Sequence, residues 1–400
     1  MWPAERLSDG AVFHPKFSAQ LHRDVPFRYT LPSMSRLLSL VGTPSPKLHA
    51  VLNIVRGLVQ ITVGDHVVVV ANSSESLRDQ FPDRPTRARK SVVLLSDYPQ
   101  PDMLAMFYRL RAPVVVCVDD FTTVALFSVV SRGFGGVDAA RFATMGVVNV
   151  EPAVASPPPT SLLIGDPKVE TLEGLIAKLG AFYRLPTADD SLAKALAFVG
   201  FAGRGGTALG EYIDGNIAAA GKMAVEGRAA LESRSPLENE LIASLAPHYD
   251  VVARGRRLEK LEWPVYALLR PEFPDRLTIG PIDLTGPARH VYFGPYFALP
   301  AGVWSAHVSL EVQDCLSENR IGIDVFASKV LSVVHADLPP HGVYGCEVRF
   351  EIEDPSKPVE IRVQLLTGAI EGVILLRKIE LHRLSSLDEV DEEDGLVRAE

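Results

Sequence analysis

Two adjacent carboxylates, Asp119 and Asp120, follow a run of β-branched residues at positions 113–118. That run reads as a buried strand, and its carboxyl end is where open α/β sheets bind ligands. Paired carboxylates at such an edge suit a divalent cation, Mg²⁺ or Mn²⁺, held together with a nucleotide diphosphate, because hard cations take oxygen ligands. Asp119 and Asp120 are therefore metal and catalytic candidates. The competing structural role is an N-cap, with Asp120 accepting from the first turn of a helix over residues 121–132. Asp97 follows the apolar run 91–95 and joins the pair as a third catalytic candidate. Asn72 and Ser73 follow the run VVVV at 67–70 and complete the layer as ligand-binding candidates. The segment LLSDYP at 94–99 has the look of a receiver domain, but the acidic pair such a domain needs after its first strand is missing.

Other motifs point to less. Residues 203–208, GRGGTA, fit GxGxxA, yet a dinucleotide loop needs a strand before it. Residues 191–198 look helical, so the glycines read as a hinge between helices. Gly133, Gly135 and Gly136, beside Arg132, read as a turn. None of the ten histidines has ligand spacing; His335 and His341 flank a Pro-containing loop. GxSxG and Walker A motifs are absent, which removes the main support for common hydrolase and NTPase readings.

The elements that must position these groups follow from period. Residues 33–40 and 48–58 carry apolar residues at helical spacing, separated by Pro44 and Pro46. Continuous apolar runs at 67–70, 91–95 and 113–118 suit strands buried on both faces. Shorter runs at 147–150 and 161–164 read as further strands, with PPP at 157–159 as a rigid loop. Helices are expected over 101–110, 121–132 and 138–144. Alternation of this kind predicts βαβ units and a mostly parallel, Rossmann-like sheet. Residues 169–262 read as helices, and Ser235-Pro236-Leu237-Glu238 has the spacing of a capping box.

Near residue 265 the period becomes 2. Trp304, Ala306, Val308, Leu310 and Val312 alternate with polar partners. So do Ile321, Ile323 and Val325; Cys346, Val348, Phe350 and Ile352; and Val359, Ile361, Val363 and Leu365. This pattern predicts an antiparallel, jelly-roll-like β-sandwich closing over 374–381. Trp304 falls in the inward set. Tyr292 and Tyr296 lie outside the clean strands and flank Gly294-Pro295; their rings are candidates for stacking on sugar. The expected organisation is an arm with helices (1–60), a small Rossmann-like domain (61–183), a helical segment (184–264), a sandwich (265–387) and an acidic disordered tail (388–400).

Composition narrows the function classes. A chain of 400 residues, 47% hydrophobic and 22% charged, has globular composition and length for two or three domains. A net charge of −9 argues against a broad basic face for nucleic acid. Three cysteines without CxxC spacing make neither a zinc ribbon nor a disulfide framework. The stretch 112–130 is broken by Asp119 and Asp120 and is no membrane span. The N-terminus lacks a signal-peptide pattern, so the expected compartment is the cytoplasm.

The run GPARHVYFGPYFALPAGVW at 286–304 resembles the opening of a β-sandwich domain appended to bacterial glycosyltransferases and other surface-polysaccharide proteins. The shared theme is a GPY…LPAG turn before a long amphipathic strand, and the resemblance covers about the last third of the chain. It implies a context of glycan synthesis or glycan binding in a bacterium. The leading expectation is thus a protein of polysaccharide or glycoconjugate production. Its α/β domain would engage a nucleotide-sugar, and its sandwich would hold glycan or a protein partner. Its rival is a non-catalytic adaptor built from a degenerate α/β domain and a binding sandwich, since a two-lobed transferase needs two Rossmann-like domains. An unrelated small-molecule transferase or hydrolase is the third reading. Convergence of Asp97, Asp119 and Asp120 in one pocket favours an enzyme; their dispersal into caps favours the adaptor.

Overall fold

Five parallel strands organise the first half of the chain: β1 (Leu37–Gly42), β2 (His66–Val70), β3 (Ser91–Ser96), β4 (Val114–Cys117) and β5 (Ser161–Leu163), in the order β2-β3-β1-β4-β5. The computed structural model describes residues 37–385, apart from 81–90, 158–159, 186–188, 234, 275–276 and 278–279. The expected N-terminal arm and acidic tail lie outside the described residues. Side chains alternate between two cores. Leu38, Leu40, Val93, Leu95, Val115 and Cys117 face one; Val41, Val92, Leu94, Val114 and Val116 face the other. A strand covered on both sides must be apolar at every position, which explains the continuous runs.

The first core is covered by α1 (Pro46–Thr62) together with α6 (Leu172–Phe182), α7 (Asp189–Phe198) and α8 (Leu209–Asn216). Opposite them lie α3 (Pro101–Leu110), α4 (Phe121–Arg132) and α5 (Gly136–Ala155), with α11 (Pro236–Ala253) packed on α4 and α5. The short α2 (Ser74–Gln80) follows β2, and the short α9 (Ala218–Lys222) and α10 (Arg228–Glu232) precede α11.

Two expectations are corrected here. Residues 37–40 form a strand, not a helix, and β1 is the centre of the sheet; the α/β unit therefore takes in residues well before 61. Residues 147–150 are helical, inside α5. A short apolar run fits a buried helix as well as a strand. This one is buried all round, Asn149 included, because α5 is enclosed by α4, α11, β1 and the sandwich. The capping box also fails to close. Ser235 makes no side-chain cap, and the Glu238 carboxylate accepts from Gly136 N (2.6 Å), capping α5 instead of its own helix.

The second half is a β-sandwich, as the period of 2 predicts. One sheet runs β13 (Gly342–Ile352), β10 (Gly302–Gln313), β15 (Val373–Ser385), β6 (Lys260–Glu262), with β7 (Ile282–Asp283) also on β15. The other runs β12 (Lys329–Asp337), β11 (Arg320–Ala327), β14 (Val359–Leu365), β8 (Arg289–Tyr292), with β9 (Pro295–Phe297) also on β14. Trp304 is fully buried between them, as expected. β6 pairs with β15, so the sandwich begins before residue 265. One continuous apolar core joins the α4/α5/α11 layer to the sandwich.

Candidate functional site

The carboxyl edge of the parallel sheet is sewn together by its own side chains. Gly42 ends β1, and the following loop, Thr43-Pro44-Ser45-Pro46, leads into α1. Thr43 N donates to Cys117 O (3.1 Å), and Asp119 N donates to Thr43 Oγ1 (3.2 Å). Lys47 is buried; its ammonium donates to Val118 O and pairs with Asp119 at 3.3 Å. Pro44 and Pro46 carry no N–H, so this loop has lost two of the amide donors that a phosphate-binding turn uses. Asp120 caps α4, accepting from Thr123 N (2.9 Å) and Thr123 Oγ1 (2.7 Å). Asp250, from α11, accepts from Phe121 N (2.8 Å), and burial raises its carboxyl above the usual range.

These groups rim an open cleft of about 500 Å³, lined by Lys47, Asp119, Asp120, Asp166, Asp250 and Arg254 among others. Asp119 and Asp120 thus share one cleft, but Asp97 is not among its lining residues. Asp97 accepts from Asn72 Nδ2 (3.0 Å) and pairs with Arg132 (3.3 Å). Asn72 Oδ1 accepts from Ser96 Oγ and Tyr98 N, both at 3.0 Å, tying the ends of β2 and β3 together. Ser73 and Ser76 cap each other at the start of α2. Among the described residues, no group of three or more His, Cys, Asp or Glu is placed to hold a metal ion.

The expected sugar-stacking tyrosines sit elsewhere than anticipated. Tyr292 is 4% exposed, because it lies opposite the inward-facing Val363 of β14 and packs into the sandwich core. Tyr296 is half-buried under the Arg141 guanidinium, 4.8 Å from its ring. The GPYFALPAG segment is the junction between the two halves of the molecule. Arg141 Nε donates to Pro295 O (2.9 Å), Ala298 N donates to Thr144 Oγ1 (3.2 Å), and Tyr249 OH donates to Ala298 O (3.0 Å). Arg383 bonds Ala301 O and pairs with the buried Glu151 at 2.8 Å.

A second constellation escapes the one-dimensional reading. On the β12-β11-β14-β8 sheet, Ile321, Ile323, Val325, Ile361, Val363 and Leu365 point into the sandwich, so Gly322, Asp324, Phe326, Glu360, Arg362 and Gln364 face outward. Register places Phe326 beside Glu360, Asp324 beside Arg362 and Gly322 beside Gln364. Arg362 grips Asp324 with two bonds (Nε–Oδ1 2.7 Å, Nη2–Oδ2 3.0 Å), and Gln364 Nε2 adds a third at 2.6 Å. The Arg362 guanidinium also lies 4.3 Å from the Phe326 ring centre. Asp324 is only 4% exposed although it lies on the outward face. Tyr296 lies beside Glu360, close enough for the phenol and the carboxylate to act on each other's ionisation. Burial lifts Glu360 above the ordinary carboxylate range, against the opposing pull of Tyr296 and Arg362. The sequence signal was the charged and amide residues between the apolar positions of two strands; the pairing register that joins them was not readable.

No protein-family model matches the chain, and no curated protein matches its sequence. Among solved structures, TmCBM61 in complex with β-1,4-galactotriose is similar over 31% of this chain and 86% of its own, at 12% identity and a TM-score of 0.21. The C-terminal CBM6 of LamC from Zobellia galactanivorans is similar over 31% of this chain and 98% of its own, at 13% identity and a TM-score of 0.20. The Glycosylation Associate Protein (Gap123) complex from Streptococcus agalactiae is similar over 80% of this chain, at 10% identity and a TM-score of 0.17. The chain spans about half the length of that last protein (49%). Likeness at this level says nothing about what the chain binds. Among the described residues, no helix is long and apolar enough to cross a membrane.

Proposed function

We propose that this chain is a non-catalytic glycan-binding protein of bacterial polysaccharide or glycoconjugate production, with the sandwich as the reader and the α/β unit as its scaffold. The observation that carries this reading is the outward row Phe326, Arg362, Asp324 and Gln364. A half-buried aromatic beside pre-ordered charged and amide groups suits a sugar ring, which offers an apolar C–H face and a rim of hydroxyls. On the α/β side, Lys47 neutralises Asp119, Asp120 caps α4, and Asp97 is bound elsewhere; this favours scaffold over catalyst. Affinity electrophoresis of the full chain through gels containing neutral glycans tests the proposal. Phe326→Ala is expected to weaken retention about 2- to 12-fold, the equivalent of ~0.5–1.5 kcal/mol for a lost ring contact. If no glycan retards the protein, or Phe326→Ala changes nothing, the reading fails.

The open cleft at Asp119 and Asp120 supports a second reading, in which the α/β unit engages a nucleotide-sugar with Mg²⁺ or Mn²⁺. A thermal-shift screen against nucleotide-sugars, with and without either ion, separates the two. A metal-dependent rise in Tm favours the donor site.

A further inference from the structure

The outward row does not stop at the sandwich. Next to Arg362 stands Glu360, with Tyr296 beside it; over Tyr296 lies Arg141, and Arg141 belongs to α5 of the α/β unit. The row is continuous: Arg141, Tyr296, Glu360, Arg362, Asp324, Gln364. Tyr296 holds a left-handed backbone, φ 70°, which a non-glycine residue adopts only when its surroundings impose it. Its neighbours impose it from both sides. Arg141 Nε fixes Pro295 O, while Ile361 N fixes Gly294 O at 2.6 Å. The pose of the ring that stands beside Glu360 is therefore held by the helix of the other half.

The charges of the row are matched internally. Arg362 is gripped by Asp324, and Arg141 faces Asp138 at 3.5 Å, with Glu360 flanked by both arginines. Two cations meet three anions, so no cation is left over for a carboxylate or sulfate on a sugar. What the row leaves open is the half-buried Glu360, Arg362 and Gln364 beside two half-buried rings, each with a guanidinium over one face only, which is chemistry for hydroxyls and C–H faces.

We infer that the glycan face is bipartite and selects neutral oligosaccharides, with Arg141 of the α/β unit as the positioning residue that sets Tyr296 beside Glu360. This rests on the glycan-binding reading above. The test uses the full chain, titrated calorimetrically with cellotetraose, laminaritetraose and β-1,4-galactotetraose as neutral probes and with tetragalacturonate as the anionic one. Wild type is expected to bind at least one neutral probe at least tenfold more tightly than the uronate. Arg141→Met is expected to weaken that binding about fivefold or more and to alter the ratio of affinities among the three linkages. A residue that merely supports the fold would leave that ratio in place. Tyr296→Phe, which keeps the ring and removes only its hydroxyl, is expected to change the ratio in the same sense, and it decides the matter if Arg141→Met does not fold. If wild type binds no probe, or Phe326→Ala leaves binding intact, the glycan-binding reading itself falls. If Phe326→Ala weakens binding while Arg141→Met and Tyr296→Phe leave affinity and ratio unchanged, only the bipartite site is overturned. Tighter binding of the uronate overturns the charge selection.

Discussion

Lys47 shows how a residue acquires its role from a partner far along the chain. Its ammonium is buried against Val118 O and Asp119, groups more than seventy positions away. Removing one member of a buried pair strands the other charge, which costs about 3–5 kcal/mol. Asp119 borders an open cleft that water enters, so Lys47→Met is expected to fall at the low end, ~3 kcal/mol in urea unfolding. Adding Asp119→Asn should restore part of the loss. Small, additive effects of the two single changes would instead mean that Lys47 is free to meet a ligand. The position of Asp119 after a strand was legible from the apolar run before it. Lys47 was not, because nothing in the sequence says that the β1–α1 turn closes onto the end of β4. The same holds for Arg362 and Asp324. Each reads alone as an outward polar residue, and only the register between β11 and β14 makes them a pair.

At the scale of elements, the tightest seam is between β1 and β4. A Cβ on Gly42 would stand 2.1 Å from Cys117 O, and that oxygen also accepts from Thr43 N. Backbone cannot yield as a side-chain tip can, so Gly42→Ala is expected to destabilise by ~3 kcal/mol or to prevent folding. Gly206→Ala, with nothing within 4 Å of its added carbon, is the matched control and should be nearly neutral by the same denaturation assay. Strands β3 and β4 were legible because apolar runs buried on both faces have few alternatives, and β2, a half-buried edge strand, from its four consecutive valines. β1 and α5 were misread for related reasons. LLSLVG and GVVNV are short apolar runs, and local period cannot separate a strand from a fully enclosed helix. What decides is enclosure: β1 lies between β3 and β4, and α5 lies between a sheet, two helices and the sandwich. In the sandwich, one wet face and one dry face gave β10, β11, β13 and β14 a period of 2, whereas β12, exposed or half-buried throughout, carries no such signal.

Across the whole molecule, the change of period near residue 265 marks a change of architecture but not a point of separation. β6 lies ahead of it and pairs with β15, and Trp263 packs edge-on against Phe297 at 5.7 Å. The run that resembles a polysaccharide-associated sandwich is the part that docks on α5 and α11. Glu151 with Arg383, and Tyr249 with Ala298, close the same junction. A fragment of residues 265–385 is therefore expected to melt well below one of residues 256–385, which keeps β6. Both should melt below the full chain, which should show one cooperative transition by calorimetry. Equal melting of the two fragments would mean that β6 contributes nothing to the sandwich.

The placing of β10 has a consequence for how the chain is made. Its two edges pair with β13 and β15, and the latter ends at Ser385, roughly seventy residues after β10 is complete. At about 5–20 residues per second, translation leaves β10 with an unpaired edge for on the order of 4–14 s. Through that interval this amphipathic twelve-residue strand keeps one edge without a partner, even after β13 takes the other. The pace of synthesis over residues 314–385 thus sets how long that edge stands open.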